Sequence, residues 1–376
     1  MGRRIPYSLA FRWLALFARA VSGIIGHTMY AVLGAQAAAA RRLPVAPLLR
    51  RHWDSYLCGA YLGCDIQTLP EAVCVDTGRE VGYGTVPLQK SPLTGGAVRP
   101  WKLTFAGHEY TARDIHRLFY GRSHLVFGWS AEEHRLQEPW DHLADYFACA
   151  AGDARTIFGP GERPLAYLFG TLAHIVGDSL IKSVHPGLTL RLLDGQYTSR
   201  NRPIQDLVTF HEVGRKELKL NWPDLLADLA AAPVEPLQPH TMRVGEARGE
   251  LGRHFRDGWR PDLAPLLNVV MTENRRYLKA LIPGWLKELE LERSGNDWDC
   301  SAEFREITGL HYAEMVALAD KAGFRQTLWQ IGEAVADLFA GVVQLQPVLH
   351  DLPGDAPGWD ELTRRWRRAT KGANGS

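Results

Sequence analysis

Apolar positions recur at helical spacing over most of this 376-residue chain. An Ala-rich stretch from His27 to Arg42 and a second from Leu48 to Leu62 read as two helices, separated by Pro44 and Pro47. Between 66 and 112 the pattern changes. Gly78, Gly82, Gly84, Gly95 and Gly96, with Pro87, Pro92 and Pro100, punctuate short runs such as Trp101–Phe105. This segment reads as a loop with a β-hairpin, inserted into an otherwise helical protein. Helical periodicity returns from 112 to 230, with breaks near 159–164 and 194–203. Pro233, Pro236 and Pro239 mark a boundary between a domain at 27–232 and a helical C-terminal region at 240–376. That region carries helical patterns near 242–257, 262–281, 302–322 and 325–345, then a basic tail, Arg364-Arg365-Trp366-Arg367-Arg368. The expected fold class is mainly α.

Composition narrows the function classes. Hydrophobic residues make up 46% and charged residues 23%, which excludes a disordered or fibrous chain. The net charge of +1 removes any bulk electrostatic argument for a nucleic-acid partner. Cys58, Cys64, Cys74, Cys149 and Cys300 form no CxxC pair, which argues against a disulfide scaffold. One bridge among Cys58, Cys64 and Cys74 requires an oxidising compartment. Residues 1–26 combine Arg3-Arg4, an apolar run broken by Arg12 and Arg19, and small residues at 18–23. Two readings stand side by side: a loose export signal, and an amphipathic first helix lying on the protein body or a membrane surface. Periplasmic or secreted and cytoplasmic locations are therefore equally open. No segment reaches the ~18 uninterrupted apolar residues of a membrane span.

The chemistry gathers on histidines and carboxylates. In Leu168-Phe-Gly-Thr-Leu-Ala-His174-Ile-Val-Gly-Asp178, the His and Asp are four apart and share a helix face. An imidazole and a carboxylate so placed can share one divalent metal, whose ligand bonds are about 2.0–2.2 Å. His185 follows two turns later, and Pro186 ends the helix there. Gly170, Ala173 and Gly177 make the face small and apolar, so it is expected to be buried. The competing reading is a core ion pair between His174 and Asp178. Further candidates are His27, Asp65 at the end of a Gly-rich helix, His124, and His211 followed by Glu212. His116 and His108 compete with His124 for the middle position.

In this order the residues resemble the zinc-dependent phospholipase C family. That family includes the N-terminal domain of glycosylphosphatidylinositol-specific phospholipase D and, more distantly, the fungal single-strand zinc nucleases. The likeness spans residues 24–225 and is densest at Phe169-Gly-x-x-x-His174-x-x-x-Asp178. It implies a multi-helix catalytic domain holding two or three Zn²⁺ ions. His174, Asp178, Asp65 and His124 would hold one ion, Asp178 and His27 a second, and His185, His211 and an acid a third. The sequence departs from the family twice. The gap from Asp178 to His185 is longer, and Arg215 stands where the family has an acid, leaving Glu212, Glu217 or Asp206 to substitute.

The implied activity is phosphodiester hydrolysis by zinc-activated water, with Asp65 as the catalytic residue that orients or deprotonates the attacking water. A phospholipid is the leading substrate, and peripheral membrane contact goes with it. Tyr83, Trp101, Phe105, Phe127 and Trp129 would line the entrance, or else fill the core. A nuclease or phosphomonoesterase of the same fold is the alternative. A helical binding or scaffold protein with a structural or degenerate metal site is the alternative from another class.

Overall fold

A computed structural model describes the backbone of residues 7–62, 68–82, 88–125, 129–130, 135–136, 161–181, 201–231, 263–295, 297–345, 360 and 364. Side chains are described for these except at 7–22, 62, 120–125, 129–130, 135–136, 178–180, 264 and 343–345. The fold is mainly α, as the periodicity requires.

Helix α1 runs unbroken from Tyr7 to Ala40, so His27 lies well inside it instead of opening a helix. Two helices follow, α2 (Val45–Arg51) and α3 (Trp53–Leu62). The inserted segment forms more structure than one hairpin. Strands β1 (Ala72–Cys74), β2 (Glu80–Val81) and β3 (Val98–Pro100) make an antiparallel sheet in the order β2-β1-β3. Strands β4 (Leu103–Phe105) and β5 (His108–Tyr110) form a separate hairpin. Then come α4 (Ala112–Leu125), the two-residue strands β6 (Trp129–Ser130) and β7 (Arg135–Leu136), and α5 (Glu162–Ile181).

Helix α6 (Asn201–Leu207) continues without a break into a π-helix at Val208–Glu217, followed by α7 (Trp222–Ala231). Gly214 lies under Trp222, whose indole N–H donates to the Phe210 carbonyl at 3.1 Å. The C-terminal part consists of α8 (Leu263–Glu288), a hairpin of β8 (Glu292–Ser294) and β9 (Asp297–Asp299), α9 (Ala302–Thr308), α10 (Tyr312–Lys321) and α11 (Phe324–Leu345).

Two of these elements differ from the periodicity for identifiable reasons. The pattern at 302–322 reads as one helix, but Gly309 adopts φ 76° and closes α9 with a left-handed cap. Helix α8 passes through Pro283, which lies on its exposed side, as does Lys279, whose carbonyl the proline leaves without its helical donor. The Pro233–Pro239 boundary, the pattern at 242–257, and all but Arg364 of the basic tail lie outside the described residues.

One hydrophobic core includes residues from Ile24 on α1 to Val342 on α11, so the helices after residue 262 share a core with those before 232. Close helix approach sets its geometry. A Cβ on Gly59 would stand 2.0 Å from the Tyr167 carbonyl oxygen, and one on Gly170 would stand 2.0 Å from that of Tyr56. The two glycines thus let α3 and α5 meet backbone to backbone. Tyr56, fully buried, anchors α3 to α1 by donating to the Ala31 carbonyl at 2.8 Å.

Polar clamps fix the ends of these helices. Glu162, on the first turn of α5, accepts two bonds from Arg51 and one contact from His52 Nε2 at 2.9 Å. Burial works against the Glu162 carboxylate, but Arg51 and His52 outweigh it and hold its pKa below the usual range. Asp299 collects the N–H groups of Cys300 and Tyr312, the His311 ring and the Arg305 guanidinium. Those donors overcome its burial and push its pKa well down. Cys58, Cys74 and Cys300 are buried, and Cys64 and Cys149 lie outside the described residues. Among the described residues, no helix is long and apolar enough to cross a membrane.

Candidate metal centre

Helix α3 ends at Leu62, so the Ala60 carbonyl falls in its last turn, where intrahelical donors run out. His174 of α5 fills that position: its Nδ1 lies 2.7 Å from the Ala60 oxygen, and the ring is 4% exposed. A carbonyl can only accept, so Nδ1 carries the proton. In the neutral ring the lone pair is then on Nε2. This is how metal-binding histidines are commonly oriented, one nitrogen held by a backbone carbonyl and the other presented to the ion.

His27 of α1 stacks on this ring, with centroids 3.8 Å apart and planes 19° from parallel. Tyr30 meets His27 edge-on at 5.6 Å, and Tyr61 lies tilted at 6.4 Å. The stack depends on a missing side chain. A Cβ on Gly177 of α5 would stand 2.0 Å from Tyr30 Cδ2, so only glycine admits the Tyr30 ring beside the pair. Asp178 follows His174 by one turn on α5. Its side chain, like that of His124 on α4, lies outside the described residues, as do Asp65 and His185 altogether.

The remaining candidates are held by other groups. His211, on the π-helix, donates Nε2–H to the Leu289 carbonyl at 2.7 Å. Its ring meets Tyr312 edge-on at 5.6 Å. Burial lowers its pKa despite that bond. Glu212 receives Lys216 Nζ at 2.6 Å and the Tyr312 hydroxyl. Burial opposes the charge on Glu212, but those two donors prevail and lower its pKa.

The possible substitutes for the missing family acid stand in settings of their own. Glu217 pairs with Arg325, and Arg215 is bound by the Glu290 carboxylate and lies 4.4 Å over the Phe210 ring. Asp206 is fully buried, and burial raises its pKa well above the ordinary value against the pull of Arg202. His116 is half-buried on α4, with burial and Arg113 lowering its pKa, and His108 is exposed on β5. Among the described residues, no group of three or more His, Cys, Asp or Glu side chains is placed to hold a metal ion.

The structure therefore brings together His27 and His174 and gives His174 a defined tautomer. It does not join His211 or Glu212 to that pair. The Ala60 carbonyl and the Tyr30 and Tyr61 rings belong to the site, and a reading by side-chain type alone overlooks them. Of the expected entrance aromatics, Trp101 and Phe105 pack against the main core, Tyr83 and Phe127 lie outside the described residues, and Trp129 is described in backbone only. No family model, curated protein or solved structure matches the chain.

Proposed function

We propose that this protein is a zinc-dependent phosphoester hydrolase that acts on a phosphodiester, with a phospholipid as the leading substrate. One observation carries the reading: two imidazoles from separate helices lie face to face, His174 buried and His27 half-buried, and a carbonyl fixes the tautomer of His174. The donor chemistry suits Zn²⁺, which takes neutral imidazole nitrogen and carboxylate oxygen. His27 and His174 would hold it, with Asp178 one turn beyond His174 and, from the family resemblance, Asp65, His124 and His185. A zinc ion held there would supply a water acidic enough to ionise near neutral pH and positive charge to offset that on the phosphoryl group.

The chain's own residues do the rest. The Ala60 carbonyl keeps His174 in one tautomer and one orientation. Tyr30 and Tyr61 pack around His27 and limit its ring rotation. Asp65 takes the role of orienting or deprotonating the attacking water.

Zinc content of protein purified without chelator, by elemental mass spectrometry, is the first test. Two or three ions per chain, with hydrolysis of a short-chain phosphatidylcholine but not of single-stranded DNA, agree with the proposal. The reverse substrate preference favours the nuclease alternative. No zinc after incubation with Zn²⁺ ends both.

A second reading has its own support. His211 and Glu212, two of the ligands the resemblance implies, are bonded to Leu289, Lys216 and Tyr312 instead. That favours a helical binding or scaffold protein with a degenerate metal site, in which the His27–His174 stack is core packing.

A further inference from the structure

Strands β1 to β5 border a cleft of about 610 Å³ that the metal-centre reading does not use. Its size falls in the range of small-molecule sites. Strand register builds one side of it. Val73 of β1 is paired with Glu80 of β2 and with Arg99 of β3. Directly paired residues point to the same face, so a carboxylate, an apolar side chain and a guanidinium stand in a row across three strands. Thr104 and Glu109, paired across the β4–β5 hairpin, line the same cleft together with Trp101 and Lys102.

Both carboxylates that line the cleft are already paired. Both Glu80 carboxylate oxygens accept from Arg276 at 2.9 Å. Glu109 is paired with Lys102 Nζ at 2.5 Å. Arg99 is exposed and has no ion pair or side-chain hydrogen bond among the described residues. Arg276 is itself shared with Glu273 at 2.8 Å, whereas the Arg99 guanidinium, unpaired among the described residues, presents a fork that matches two oxygens of a phosphoryl or carboxylate group. The paired carboxylates still have lone pairs to accept hydroxyl protons, and Thr104 both donates and accepts. Glu80 and Glu109, which line the same cleft, also disfavour a ligand with a second negative charge.

We propose that this cleft binds a hydroxylated monoanion, specifically a phosphodiester carrying a polyol. The phosphoryl oxygens lie on Arg99, and the hydroxyls on Glu80, Glu109 and Thr104. The monoanion and the hydroxyls follow from the cleft alone; the choice of phosphodiester rests on the hydrolase reading.

Isothermal titration calorimetry at low ionic strength tests this with glycerophosphoglycerol, glycerol 3-phosphate, gluconate and glycerol as probes. Glycerophosphoglycerol should bind saturably in the millimolar range or tighter, and Arg99→Gln should weaken it by about tenfold or more, the loss of a charge-assisted pair. Arg99 is exposed, so the variant should keep the wild-type Tm. Equal binding by Arg99→Gln, or no saturable binding by the wild type, overturns the assignment. Preference for glycerol 3-phosphate overturns the monoanion, and preference for gluconate overturns the phosphodiester.

Sedimentation with vesicles of phosphatidylglycerol against phosphatidylcholine separates the two sources of such a ligand. Arg99-dependent binding to the former assigns it to a lipid head group. Binding of the soluble diester alone assigns it to a free metabolite. Zinc content of the same sample reports on the hydrolase reading separately, so the two can fail independently.

Discussion

His174 Nδ1 and the Ala60 carbonyl oxygen are 2.7 Å apart, and this one bond joins the end of α3 to the middle of α5. It leaves the His174 lone pair on Nε2, in a ring already stacked at 3.8 Å on His27. That arrangement serves core packing and, under the hydrolase proposal, metal binding as well, and a suitable substitution can separate the two.

His27→Phe keeps a flat ring against His174 and removes the nitrogen lone pairs. If His27 is a ligand, the variant should fold with a Tm within a few degrees of wild type, yet lose zinc and phosphodiester hydrolysis. Elemental analysis beside thermal unfolding decides it. Wild-type zinc content in that variant would remove His27 from the ligand set.

Asp178→Asn provides the complementary test. The resemblance has Asp178 bridging two ions, so zinc and activity should both fall sharply. If His174 and Asp178 are instead only a core pair, the change should cost about 1–3 kcal/mol of stability. Zinc in wild type and variant would then remain at the same background level.

Gly59→Ala should destabilise the fold by about 1–3 kcal/mol or more, since the added carbon meets a backbone oxygen that no rotamer change can move. Urea denaturation followed by circular dichroism measures it. A midpoint equal to wild type would mean that α3 and α5 do not approach as closely as described.

Glu303→Gln should act in a pH-dependent way. Burial, then the charges of Glu288 and Glu306, push the Glu303 carboxyl up to about 7, and burial pushes Glu288 to about 7 as well. One buried Glu303 oxygen has no hydrogen-bond partner among the described residues. A folded-state pKa above the unfolded value means a contribution present below about 4.5 and lost as pH rises through 7. Glutamine should therefore raise the Tm at pH 8 and leave it nearly unchanged at pH 5. The same Tm gain at both values would refute the titration.

Glu162→Gln should do the reverse. Its folded-state pKa is depressed, so its contribution is present above about 4.5 and lost as pH falls through the lower folded value. His52 adds to the acid sensitivity: burial lowers its pKa, so the unfolded chain takes up a proton first below about 6.5. Wild type should lose stability more steeply than the variant below pH 4.5 in acid titrations followed by fluorescence. Identical acid slopes would exclude the clamp.

Much of the architecture was legible because a helix advertises itself locally. The apolar spacing around His174 identified α5, and Gly170, Ala173 and Gly177 announced a close-packed face there. The β8–β9 hairpin was not anticipated, because its strands have three residues each and most of them face solvent, leaving no alternation to read. The split at Gly309 was missed because one left-handed residue hardly disturbs a 3.6-residue period.

The sequence by itself determined the helical class, the inserted β segment, and the His174–Asp178 spacing on one helix. Those depend on the order of neighbouring residues and on backbone geometry. Only the tertiary structure decided that His27 stacks on His174, that Ala60 supplies the orienting carbonyl, and that Leu289 engages His211 and Tyr312 engages Glu212. Each of these joins segments remote in the chain. The approach depends on how closely two helices can pack, and here glycines at 59, 170 and 177, with nothing where a Cβ would stand, set that distance.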